Sequence, residues 1–165
     1  MTSNPAKLLV IGYGNEWRSD DALGPAVARR VESLAPPNVL VRTAHQLLPE
    51  FAAELATVEY AIFVDACYET EPLDPGSNAV MIARLSPHTD GSRATHFCHP
   101  SMLLGLAEVV FGHAPQAWLV SVRGERFEHG DSLSPRARER VEVVAHQITR
   151  LLHDSKNLSE IEGHQ

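Results

Sequence analysis

The segment 7–24, KLLVIGYGNEWRSDDALG, restricts the possible folds more than any other part of the chain. Its apolar run from Leu8 to Ile11 has the character of a strand buried on both faces. Gly12 and Gly14 follow, permitting a sharp turn and a close backbone approach that a β-carbon would block. Asn15, Ser19 and the acidic doublet Asp20–Asp21 come next, immediately before a helical pattern that starts near Ala22. Strand, glycine turn and helix in this order open an α/β sheet. They carry two carboxylates to its C-terminal edge, where such folds place their ligands.

The same glycines do not make a dinucleotide site. G-x-G-x-x-G needs a third glycine, and Trp17 stands in its place. No G-K-[ST] loop is present, and acid at a helix start occupies the positive end of the dipole that would otherwise attract phosphate. The pattern therefore disfavours a nucleotide and favours a cation. A formal charge of −7 argues against nucleic acid or an anionic membrane surface as partner. No apolar run reaches the roughly 18 residues of a membrane span. The N-terminus carries no secretory pattern, and the two cysteines, Cys67 and Cys98, offer no disulfide framework, so a cytoplasmic protein is expected.

The chain of 165 residues, 44% of them hydrophobic, suits one domain with a core over about 7–152 and a tail after Asp154. Strands are predicted over about 7–12, 38–43, 60–66, 79–85 and 117–122, and helices over about 22–35, 100–112 and 135–153, with a short one after Pro49. The apolar stripes are Leu23, Val27, Val31 and Leu34 in the first helix, and Leu103, Leu106, Ala107 and Val110 in the third. In the last helix the stripe is Val141, Val144, Ile148 and Leu151 or Leu152, with Ser134–Pro135 as N-cap and first residue. The segment 67–77 contains Pro72, Pro75 and Gly76 and has no helical period. It is too broken for a crossover helix, so the fourth strand is expected to be antiparallel and at an edge. The polar loop 86–99 is long enough to be functional.

Three candidates converge on one rim: Asp21 after the first strand, Asp65 at the end of the third, and His96 in the long loop. Two carboxylates and an imidazole suit a divalent transition ion such as nickel or zinc. Each also has a plainer reading. An acidic doublet stabilises a helix N-terminus by roughly 0.3–1 kcal/mol, a strand-end aspartate caps turns, and a lone histidine is often a surface residue. His99 competes with His96 as the ligand, and His45 closes the second strand near the same rim. Cys67 and Cys98 lack any nucleophile motif and read as packed thiols.

Gly12, Gly14, Asn15, Asp20, Asp21 and Gly24 match the opening motif of the hydrogenase maturation endopeptidases, G-x-G-N-x-x-x-x-D-[DE]-x-x-G. VDA at 64–66, THFCHPSMLL at 95–104 and LVSVRGERFEHGDSLSP at 119–135 resemble that family's later motifs in order. The resemblance implies a three-layer α/β sandwich. Its twisted, mostly parallel five-stranded sheet would have one antiparallel edge strand and helices on both faces. It implies an endopeptidase that removes the C-terminal peptide of a nickel–iron hydrogenase large-subunit precursor once nickel is inserted. Nickel would arrive with the precursor and be recognised through Asp21, Asp65 and His96. Asn15, Asp20, His45, Gln46 and His99 fall around the same rim as substrate-contacting residues, His45–Gln46 standing where some members carry an acid and glycines. Two other readings stay open: a metal-dependent hydrolase of a small substrate, and a non-catalytic nickel- or precursor-binding chaperone.

Overall fold

The computed structural model describes residues 8–34, 38–68, 79–89 and 99–153. In chain order the elements are β1 (Leu8–Tyr13), a single 3-10 turn (Ser19–Ala22), α1 (Leu23–Leu34), β2 (Val39–Ala44), α2 (Phe51–Leu55) and β3 (Tyr60–Tyr68). They continue with β4 (Val80–Leu85), α3 (Pro100–Phe111), β5 (Gln116–Gly124) and α4 (Pro135–His153). One five-stranded sheet runs in the order β2-β1-β3-β5-β4, with the first four strands parallel and β4 antiparallel to β5 at the edge.

Successive side chains of a strand point to opposite faces, so a strand covered on both sides must be apolar at nearly every position. Leu8, Val10, Ile62, Val64, Val120 and Val122 pack on one face against Leu23, Val27 and Val31 of α1 and Val141, Val144 and Ile148 of α4. Leu9, Ile11, Ala61, Phe63 and Ala117 pack on the other against Ala52 and Leu55 of α2 and Leu103, Leu104 and Ala107 of α3. The result is the expected α/β sandwich. No described helix is long and apolar enough to cross a membrane.

Three local expectations change. Leu106 and Val110 of α3 are 36% and 59% exposed, and Leu104 takes the inward place. The helix buries Pro100, Leu103, Leu104 and Ala107, spaced i, i+3, i+4 and i+7, and is apolar on its flank as well. Leu34 and Leu151 are half-buried at the ends of their stripes. Asp65 does not end β3: the strand continues to Tyr68, paired residue by residue with β5 as far as Gly124. The Ser134 cap is present, its hydroxyl accepting the Ala137 N–H at 3.2 Å. The tail after Asp154 and most of the long polar loop lie outside the described residues.

Candidate functional site

The site is built where β1 and β3 emerge at the C-terminal edge of the sheet. Gly12 pairs with Val64, so the next step in register sets Tyr13 beside Asp65 on the same face. The Tyr13 hydroxyl donates to the Asp65 carboxylate, which also accepts the Ala66 N–H. Burial, helped by the neighbouring Asp21 charge, nevertheless pushes the Asp65 pKa up to about 6 against these hydrogen bonds. Burial and the same carboxylate raise the Tyr13 pKa, which keeps the phenol protonated as a donor.

Asp21 sits in the 3-10 turn, half-buried, its Oδ2 accepting the Asn15 N–H at 2.9 Å. The Asn15 side chain accepts the Trp17 N–H at 2.9 Å, closing an Asx turn that holds the loop in shape. Two glycines make this packing possible. Gly14 adopts φ 150, and a β-carbon there would collide with the Asp21 carbonyl. Gly24 lies directly on the backbones of Tyr13 and Val64, where a side chain would hold α1 off the sheet.

Asp20 proves different from its neighbour. It is fully buried, and its carboxylate accepts four hydrogen bonds: from Glu125 N (2.8 Å), Arg126 N (3.1 Å), Ser134 N (2.7 Å) and Ser134 Oγ (2.8 Å). Burial alone would raise its pKa, but these donors outweigh it and hold the carboxyl below the usual aspartate range. The expected substrate contact is therefore replaced by an anchor for the 124–134 loop, because both carboxylate oxygens are committed inside the protein. Ser19 N to Gly130 O (2.9 Å), Gly130 N to Trp17 O (2.9 Å) and Arg18 Nε to Phe127 O (3.2 Å) complete the seam.

The other expected rim residues distribute as follows. His45 and Gln46 are exposed in the bend after β2, joined to the glycine turn because Gly14 N donates to Ala44 O at 3.0 Å. His99 is exposed and caps α3, its Nδ1 accepting the Ser101 N–H at 3.2 Å. His96 and Cys98 lie outside the described residues. Among the described residues no three His, Cys, Asp or Glu side chains gather to hold an ion, so His99 does not join Asp21 and Asp65 in such a group. Cys67 is a free, half-buried thiol whose pKa burial pushes up, the opposite of an activated nucleophile. Sequence reasoning missed Tyr13, although its position between two glycines at the end of a buried strand marks it. It also missed Ser134 as the partner of Asp20.

The strain on Asp65 is measurable in the free protein. A carboxyl whose folded pKa is raised contributes stability below its unfolded value and loses it as pH rises through the folded value. Asp65→Asn is expected to be more stable than wild type by about 1–3 kcal/mol above about pH 6, converging with it near pH 4. Urea unfolding with chelator at pH 4 and pH 7.5 checks this, and a variant less stable than wild type at pH 7.5 would contradict it.

No known family model matches the sequence, and no curated protein is significantly similar to it. Solved structures do match. The [NiFe] hydrogenase maturation protease HycI of Thermococcus kodakarensis superposes with a TM-score of 0.69 at 23% identity, over 92% of this chain and 96% of that one. The hydrogenase maturating endopeptidase HybD of E. coli gives a TM-score of 0.62 at 27% identity, over 90% and 93%. This chain has the fold of the hydrogenase maturation proteases. The hydrogenase 2 maturation peptidase of a Thaumarchaeota archaeon has it too, with a TM-score of 0.64 at 21% identity over 89% and 98%. Coverage near the full length on both sides means that the maturation-protease fold accounts for the sheet and for the elements that carry Asp21 and Asp65 alike.

Proposed function

We propose that this chain is an endopeptidase of hydrogenase maturation. It removes the C-terminal peptide of a nickel–iron hydrogenase large-subunit precursor after nickel insertion, meeting the ion through Asp21, Asp65 and His96. One observation carries the reading beyond the fold: the charge that acts on half-buried Asp65 is another carboxylate, Asp21, on the adjoining turn. Two carboxylates near each other at a ligand-binding edge suit a divalent cation, as do oxygen donors with one imidazole. Nickel belongs to the precursor, so it is part of the substrate, where it can polarise the scissile carbonyl.

The chain's own residues position what the precursor brings. Tyr13 orients the Asp65 carboxylate, and the Asn15 N–H fixes one oxygen of Asp21. The seam between residues 17–20 and the 124–134 loop keeps that turn from shifting when the precursor docks. The test is to mix the purified protein with nickel-loaded and nickel-free precursor and to weigh the products by mass spectrometry. Shortening of the nickel-loaded form alone is expected. An intact nickel-loaded precursor would refute peptidase activity, and equal shortening of both forms would refute the nickel trigger.

A further inference from the structure

Trp17 joins a fixed backbone to an exposed aromatic side chain. Its backbone is held on both sides, the N–H by Asn15 Oδ1 at 2.9 Å and the carbonyl by Gly130 N at 2.9 Å. The residue is nevertheless 64% exposed, whereas the chain's other tryptophan, Trp118, is 2% exposed in the core. Leaving most of a large apolar ring in contact with water is unfavourable. A second exposed aromatic, Tyr68, stands at the end of β3 and is likewise 64% exposed. It rests on Phe127 with ring centroids 5.3 Å apart, and the carbonyl of Phe127 is tied to Arg18. Tyr68 stands three residues after Asp65 on the same strand, so its ring leaves the opposite face of the sheet, whereas Trp17 lies on the turn that carries Asp21, four residues before it.

We propose that Trp17 receives an apolar side chain of the precursor's C-terminal segment next to the bond that is cut. This assignment rests on the peptidase reading above. A rigid aromatic anchor is what a tight contact uses, because little freedom is lost when it is covered. Continuity with the site singles out the peptide as the occupant. Asn15 accepts from Trp17 through its side chain and donates to Asp21 through its backbone, so a single residue links the segment that carries the indole to the Asp21 carboxylate. Trp17 is a substrate-contact residue, with no part in the bond-breaking step.

The test uses the full chain and nickel-loaded precursor, with initial rates measured over a range of precursor concentrations. W17A is expected to raise KM about tenfold with kcat within about twofold, and W17F to recover most of the loss, since a phenyl ring still offers an apolar face. Melting temperatures of both variants should match wild type, because the ring covers little of the fold. If wild type cleaves and W17A shows a KM within about twofold of it, the Trp17 assignment falls and the peptidase reading stands. If wild type fails to cleave, both fall.

Discussion

Replacing Asp20 by Ala is expected to destabilise the protein by about 3–5 kcal/mol, a large effect for a residue in an acidic surface motif. The carboxylate is fully buried and takes four hydrogen bonds from Glu125, Arg126 and Ser134. Alanine leaves those donors facing a cavity, each without a partner or the access to water that would compensate it. The Asp20→Asn variant is expected to recover only part, because its amide NH2 must point at donors that the second oxygen accepted. Ser134→Ala should cost less than Asp20→Ala, since three backbone N–H donors remain. Urea unfolding followed by circular dichroism measures all three, and an Asp20→Ala loss below about 1 kcal/mol would show that the seam is not held by this carboxylate. In Asp20→Ala the 124–134 loop should also become the first site of tryptic cleavage, at exposed Arg126. The pH sign is opposite to that of Asp65. A depressed folded pKa contributes stability above the unfolded value and loses it as pH falls through the folded one, so the Asp20 contribution fades in acid below about pH 4.

Much of this was legible from the sequence because period and punctuation agreed. Glycine turns, proline stops and continuous apolar strands located the sheet, and the broken segment after Cys67 indicated an antiparallel edge strand, which β4 is. The inward face of α3 was legible only in part: Leu103 and Ala107 are buried as expected, whereas Leu104 takes the place expected of Leu106 and Val110. Leu103, Leu104, Leu106 and Val110 are all apolar, so the 3.6-residue period had two acceptable solutions, and only packing against Phe63 and its neighbours selected one. The division of labour between Asp20 and Asp21 was hidden for a different reason. Adjacent identical residues carry no pattern, and what turns Asp20 inward is a 3-10 turn begun by Ser19 at φ 50 and donors from Ser134, 114 residues away. Long-range partners of that kind leave no local trace. Tyr13 carries no motif of its own between its two glycines, although the register that sets it beside Asp65 follows from two buried parallel strands.

Asp21→Asn is expected to lower precursor processing by more than about 100-fold while leaving the fold intact, the reverse of the Asp20 result one residue away. The asymmetry follows from what each carboxylate holds. Asp21 is half-buried and accepts a single described hydrogen bond, from Asn15 N, which an asparagine oxygen can also accept, so the stability change should stay within about 1 kcal/mol. What the amide cannot supply is the negative charge, and that is the property through which Asp21 acts on Asp65. Removing it relieves a like-charge neighbour, so the Asp65 titration should move down from about 6 even though burial, the larger cause, remains. Carbon NMR of the Asp65 carboxyl in the free protein reads this without any substrate. A processing rate near wild type would take Asp21 out of the reaction. An unmoved Asp65 titration would show that the two acids do not share one electrostatic site, and a common cation would then have no reason to draw them together.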